Sequence, residues 1–270
     1  MLDSLIVQDL YIYPIKSLAG IRVAEAEVEE RGFELDRRWM LIDESGRFIS
    51  QRTFPLMAML HVEIGTDSLS VYHLSEPDDL IHIPFNAEGN EIPSVTVWDD
   101  EMPAQLVSPQ IDRWFSKKLG VTVRLVKMPD SMERKVDPRY AVNGESVSFA
   151  DGMPYLLIGQ SSLTDLNSRL EVPVPMDRFR PNIVFSGGES FVEDSWRKIQ
   201  IGGVDFQIIK PCARCIMTTV DQGTGIKTAE PLKTLATYRK MGNKILFGQN
   251  MVAVSDGVIK VGDEIKPVFK

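Results

Sequence analysis

Apolar residues along this chain recur mostly in short runs or at every second position, and that spacing predicts strands. LIVQDLYIYPI (5–15), DSLSVYHL (67–74), PSVTVWD (93–99), VTVRLVK (121–127), NIVFSG (182–187) and IQIGGVDFQIIK (199–210) all read this way. RRWMLIDESGRFIS (37–50) breaks at Asp43-Glu44-Ser45-Gly46, a hairpin signal. GVIKVGDEIKPVF (257–269) breaks at Gly262-Asp263 between two apolar runs, a second hairpin signal.

Helical spacing is rarer. In SPQIDRWFSKKLG (108–120), Ile111, Trp114, Phe115 and Leu119 share a face, with Gly120 as the C-terminal cap. QSSLTDLNSRL (160–170) offers Ser161 or Ser162 as N-cap and spaces Leu163, Leu166 and Leu170 for one face. EPLKTLATYRKMG (230–242) starts near Pro231, spaces Leu232, Leu235 and Tyr238, and ends at Gly242. The polar stretch 129–146, with its Pro and Gly, reads as an interdomain linker or long loop. The expected fold is mainly β (α+β): two β-barrel-like parts with a few peripheral helices.

Composition narrows the function. At 270 residues with 43% apolar content, the chain can build a sizeable core. A net charge of -8 argues against a nucleic-acid binder, so an anion site must be a local basic cluster on an acidic background. No apolar run is long enough to span a bilayer, and the N-terminal residues lack a basic leader, so a soluble, cytoplasmic protein is expected.

The two cysteines, Cys212 and Cys215, lie together in KPCARCIMTTVD. A thioredoxin-like pair needs a helix after it to lower the first thiol's pKa, whereas the β-branched IMTTVD predicts a strand. Structural zinc needs four ligands, and His61, His73 and His82 are scattered through the N-terminal half. Two other readings stay open: a soft thiolate ligand to a metal carried by an organic cofactor, or an inert cysteine pair. Three basic groups stand at strand ends: Lys16-Ser17, Arg37-Arg38 and Arg178 with Arg180. Together, in an acidic chain, they suggest loops converging on one anion. The turn Asp151-Gly152 adds a place where backbone N–H groups could approach a phosphate.

The blocks YIYPIKS, LDRRWML, SFADGMPYLL, FRPNIVFSG, EDSW, KPCARCIMTTVD, EPLKTLATYR, FGQN and GVIKVGDE, in this order, resemble those of MOSC-domain proteins. The likeness is strongest to bacterial relatives of the mitochondrial amidoxime-reducing family. The resemblance implies a MOSC N-terminal β-barrel domain over 1–125 and a MOSC domain over 126–270. It also implies a molybdenum cofactor, a molybdopterin with one molybdenum, with Cys215 as the metal ligand and catalytic centre. Lys16, Ser17, Arg37, Asp151, Gly152, Arg180, Asn182, Ala213, Arg214 and Asn250 match the cofactor-binding blocks. Ala150, Gly152, Ala213 and Asn250 replace hydroxyl-bearing residues found in the mitochondrial proteins.

The implied activity is reduction of N-hydroxylated bases and amidoximes to the N–H compound and water. Two cysteines cannot ligate an iron–sulfur cluster, so no cluster is expected in this chain. Electrons are then expected from a separate flavin reductase or ferredoxin-like protein. The alternatives are a molybdenum-cofactor carrier or sulfur-handling protein, and a thiol redox protein using both cysteines.

Overall fold

The computed structural model describes residues 4–269, and strands dominate it, with three α-helices among the described residues. The largest sheet has nine strands. Across it run Ile21–Val23, Ile6–Ile12, Ile183–Ser186, Tyr155–Gly159, Lys244–Ala253, Val204–Arg214, Trp196–Ile201 and Ile265–Phe269, with Lys240–Met241 hairpinned onto Lys244–Ala253. All neighbours are antiparallel except Tyr155–Gly159 with Ile183–Ser186. The sheet curls until its ends meet: Ile6 bridges to Glu264, Val7 N–H donates to Asp263 O at 2.9 Å, and Ile265 N–H donates to Leu5 O at 2.8 Å. Those few bonds are not a full ladder, so this part is barrel-like without being a closed barrel.

Sequence-distant segments share these sheets. Ile6–Ile12 lies against Ile183–Ser186, and Glu25–Glu29 pairs with Gly257–Lys260. Inside the curl pack Val7, Leu10, Tyr155, Leu157, Phe185, Trp196 and Phe206. Outside it, Leu156, Ile158, Phe179 and Phe247 meet Leu163 and Leu166 of helix α2 (Gln160–Asn167) and Leu235 of helix α3 (Leu232–Tyr238). Tyr155–Gly159 is therefore buried on both faces, which is why its sequence is an unbroken apolar run.

The remaining N-terminal elements form smaller sheets, including the meander Leu60–Ile64, Ser68–His73 and Glu76–Pro84. Helix α1 (Pro109–Leu119) buries Ile111 and Phe115 in their shared core. Ser108 caps its start, and Gly120 closes it at φ 69°, a left-handed conformation that glycine adopts without a steric penalty.

Three expectations need correction. Helix α2 begins at Gln160, ahead of both serines, and has no side-chain N-cap of its own. Its first turn is met from outside by the buried Glu193, whose carboxylate accepts from Gly159 N–H at 3.2 Å and Ser162 Oγ at 2.9 Å. Helix α3 stops at Tyr238, because 240–246 turns back as a hairpin with Gly242 at its tip. Gly262-Asp263 is a turn but not a hairpin: Gly257–Lys260 and Ile265–Phe269 go to different sheets. The 129–146 stretch contains no named helix or strand, yet it is packed, with Arg134, Val136 and Glu145 buried.

Removing Glu193 leaves the Gly159 N–H without an acceptor, and the Ser162 hydroxyl, which still accepts from Phe191 N–H, without one for its own proton. Glu193→Ala is expected to cost about 2–3 kcal/mol in urea unfolding, with Glu193→Gln recovering most of it. Equal losses in both variants would mean that the carboxylate does not serve as this external cap.

Candidate functional site

The turn after Ile6–Ile12 sets the first wall of a cleft. Pro14 and Ile15 lead into Lys16 and Ser17, with Ser17 at φ 68° and Leu18 N–H returning to Ile15 O at 3.1 Å. Arg37 and Arg180 are also left-handed, at φ 52° and 53°. Such backbone costs energy for residues with a β-carbon and persists where surrounding bonds hold it. Tyr13 supplies part of that hold. Its ring lies under both guanidiniums, each 4.3 Å from the ring centroid, and its hydroxyl donates to Pro181 O at 3.0 Å. Gly20 makes room, since a β-carbon there would lie 2.3 Å from the Tyr13 ring.

The cleft, about 480 Å³, is lined by Lys16, Ser17, Arg37, Asp151, Gly152, Arg180, Asn182, Ala213, Arg214, Cys215 and Asn250, so every sequence-derived site residue falls in it. Arg52, Arg178, Lys210 and Lys244 line it too, making eight cations against the single carboxylate of Asp151. An acidic chain has thus concentrated positive charge at one place, as an anionic ligand requires.

Protein groups hold most of these cations in position. Asp151 takes Lys16 Nζ at 2.6 Å and Arg52 Nη2 at 2.8 Å, and Trp98 Nε1 donates to it at 3.2 Å. Partial desolvation in the cleft acts to raise the Asp151 carboxyl, but Lys16 and Arg52 outweigh it and hold the half-exposed group well below the usual carboxylate range. Burial draws Lys16 down to about 8 against the opposing pull of Asp151. Burial likewise draws Arg180 down to about 10, and its guanidinium donates to Leu18 O at 2.6 Å. Arg37 pairs with Asp36 and donates to Asn182 Oδ1 at 3.1 Å. Asn182 is almost fully spent on the protein, since its amide also serves Leu156 N–H and Tyr11 O.

The cysteine segment forms the opposite wall. Residues up to Arg214 belong to a strand, and Cys215 starts a 3₁₀ turn over Ile216–Thr219. This corrects the strand expected for IMTTVD: the Thr218 hydroxyl donates back to Cys215 O at 3.0 Å and the Thr219 hydroxyl to Ile216 O at 2.7 Å. Such local bonds compete with a sheet ladder despite β-branching. Both thiols are free and both line the cleft. Arg214 donates to Cys212 Sγ at 2.9 Å and to Phe179 O at 2.6 Å, so Cys212 helps aim that guanidinium. Burial acts to lower the Arg52 pKa, but the paired Asp151 carboxylate and the charge of a nearby Cys215 sulfur outweigh it.

Sequence reasoning missed Arg52, Lys210, Lys244 and Tyr140 as site residues. Lys210 stood inside the cysteine block, and Arg178 beside Arg180. Arg52, in SQRTFP, carried no local signal. Arg38 points elsewhere, to Glu29: Arg37 sits in a turn with left-handed backbone, and Arg38 follows it at the entry to the next strand. The three histidines gather on the meander and none lines the cleft. Among the described residues no three His, Cys, Asp or Glu side chains cluster as a metal site.

A molybdopterin-type group can be tested against this lining. Ser17 Oγ, Arg52 Nη1, Arg178 Nε and Arg214 Nε are buried without a hydrogen-bond partner, an unusual set of orphans around one cleft. A β-carbon on Gly152 would meet no protein atom within 4 Å, so the wall is open there. Unclaimed donors, surplus cations and a facing sulfur fit an acceptor-rich anionic cofactor bearing a soft metal.

The chain, whose curled mixed sheet carries a cysteine and basic loops at its rim, belongs to the MOSC family. The MOSC N-terminal beta barrel domain matches residues 4–122 and the MOSC domain residues 144–266. Mitochondrial amidoxime-reducing component 1 of Homo sapiens is 33% identical over 276 residues, covering 96% of this chain and 82% of that protein. Its Mus musculus counterpart is 35% identical, covering 96% and 81%. Molybdenum cofactor sulfurase of Arabidopsis thaliana is 32% identical over 97% of this chain and 35% of that protein. Among the described residues, no helix is long and apolar enough to cross a membrane.

Proposed function

We propose that this protein is a molybdenum-cofactor-dependent reductase of N-hydroxylated compounds, including amidoximes, forming the N–H compound and water. The observation that carries the reading is the Cys215 sulfur facing a cleft with eight cations. Names of relatives support it: several are amidoxime-reducing components, and one is a molybdenum cofactor sulfurase.

When bound, the cofactor supplies the two-electron metal chemistry that removes oxygen from nitrogen. Cys215 would be its protein sulfur ligand. Ser17, Arg37 and Arg180 would hold its anionic end, with Lys16 protonated below about pH 8. Arg52 keeps a permanent cation beside the Cys215 sulfur, and Asp151 fixes that guanidinium's direction. Gly152, Asn182, Ala213, Arg214 and Asn250 complete the binding surface. Electrons come from a separate donor protein, a flavin reductase or a ferredoxin-like carrier.

The test is molybdenum content and turnover in wild type, Cys215→Ser and Cys212→Ser. Cys215→Ser is expected to lose most of the metal and more than about 1000-fold in turnover. Cys212→Ser should keep the metal and most activity. Equal molybdenum in wild type and Cys215→Ser overturns the ligand assignment. Loaded protein that turns over with no electron donor supports the carrier reading instead.

A further inference from the structure

Ser17 carries a contradiction that its own segment does not resolve. The residue is 3% exposed and left-handed at φ 68°, it lines the cleft, and its Oγ has no hydrogen-bond partner. The carbonyls around that hydroxyl are claimed by side chains from elsewhere. Ser17 O accepts from Gln51 Nε2 at 2.8 Å, and Leu18 O accepts from Arg180 at 2.6 Å. A strained backbone of this kind persists only where such bonds hold it.

Gln51 is fully buried and gives its second N–H to Gln222 Oε1 at 3.1 Å. Gln222 Nε2 returns a bond to Gln51 Oε1 at 3.0 Å and gives its other N–H to Val220 O, also at 3.0 Å. Backbone carbonyls only accept, so each amide nitrogen must face its carbonyl, and each side-chain oxygen is left for the other glutamine. Both amides are then fully used. Turning either one over would set oxygen against oxygen and nitrogen against nitrogen.

The pair joins two parts of the chain that meet only in the fold. Gln51 belongs to the domain matched over 4–122, and Gln222 to the domain matched over 144–266, just beyond the 3₁₀ turn that follows Cys215. Neither glutamine lines the cleft, yet together they tie the Ser17 wall to the cysteine wall.

We propose that Gln51 and Gln222 are positioning residues for Ser17: their closed amide pair fixes the Ser17 turn, so that its hydroxyl is left to donate to the anionic end of the cofactor. The proposal deepens the reductase reading and rests on it for the identity of the anion. Ser17 alone touches the ligand, and the glutamines act through it.

The test compares full-length, cofactor-loaded wild type with Ser17→Ala, Gln51→Met, Gln222→Leu and the S17A/Q51M double variant. Gln222 is half-buried, so its variant serves where Gln51→Met fails to fold. The first readout is the rate at which molybdenum is lost during dialysis. Each single variant is expected to lose it about 5-fold faster than wild type, and the double variant no faster than Ser17→Ala. The second readout is hydrogen exchange at Leu18 N–H, whose bond to Ile15 O closes the same turn. Gln51→Met and Gln222→Leu should speed it about 5-fold relative to amides of the large sheet, and Ser17→Ala should leave it unchanged.

A double variant that loses metal about 25-fold faster, the product of two independent effects, overturns the coupling to Ser17. Unchanged retention in both glutamine variants overturns it as well. Leu18 exchange that is unaltered, or raised equally throughout the sheet, shows no specific hold on the turn and has the same consequence. The reductase reading fails on different data. Loaded protein that reduces no N-hydroxylated compound loses the reductase, while slower metal loss through the glutamines and Ser17 keeps the positioning role. A wild type that holds no molybdenum defeats the cofactor reading and the ligand assigned to Ser17, and local exchange at Leu18 then decides the support of the turn by itself.

Discussion

Replacing Asp151 with Ala is expected to lower the unfolding free energy by about 2 kcal/mol at pH 7 and to change how stability depends on pH. Asp151 bridges Lys16, whose side chain is 5% exposed, and Arg52. Its loss leaves a buried ammonium with one remaining acceptor, Phe149 O at 2.7 Å. A fully buried broken pair costs more, about 3–5 kcal/mol, but the Asp151 side chain is itself 50% exposed, so water replaces part of the interaction.

The pH dependence follows from Lys16, near 8 when folded against 10.5 when unfolded. Below about 8 both states hold the proton, and the cost of burying the charge is constant. Between about 8 and 10.5 the unfolded chain keeps a proton that the folded one has shed, so stability rises with pH across that window. Without Asp151 the folded value falls further, and the rise must begin at lower pH. Asp151→Asn, which retains a hydrogen-bonding carbonyl, should fall between Ala and wild type. Unfolding curves from pH 6 to 10 check this. Identical pH profiles in wild type and Asp151→Ala would show that Asp151 does not support the Lys16 charge.

The second large effect is expected at Tyr13. Tyr13→Leu removes a fully buried ring that carries two guanidiniums, Arg37 and Arg180, and should cost about 3–4 kcal/mol and, on the proposed cofactor reading, lower cofactor retention at least 10-fold. Tyr13→Phe removes only the hydroxyl bond to Pro181 O and should cost about 1 kcal/mol with retention kept. The contrast separates the ring as a platform from the hydroxyl as an anchor. Thermal melts and molybdenum content measure the two consequences separately. A Leu variant that retains full metal would mean that Arg37 and Arg180 need no common support.

Much of this site could be read from short motifs because its residues lie at strand ends, where a turn and a basic residue leave a local signature. Lys16-Ser17, Arg180-Pro181-Asn182 and the cysteine block are of this kind, and each reaches the cleft. Arg52 is different. Its role depends on Asp151 and Cys215, about 100 and 160 residues away in sequence, and on the Trp98 ring 4.6 Å from its guanidinium. No local pattern encodes such a meeting. The helix ends were misread for a related reason. Ser161 and Ser162 suit an N-cap by composition, but Glu193 from another segment meets the first turn instead.

By itself the sequence determined the strand-rich class, about half of the strands, and a family of blocks centred on Cys215, because alternation and turn chemistry act over a few residues. Tertiary structure decided that the N-terminal strand joins the C-terminal sheet, that Arg37 turns into the cleft while Arg38 turns away, and that Arg52 meets Asp151 there. Those outcomes depend on which distant segments meet, and within each strand pair a one-residue shift of register would send the side chains to the opposite face.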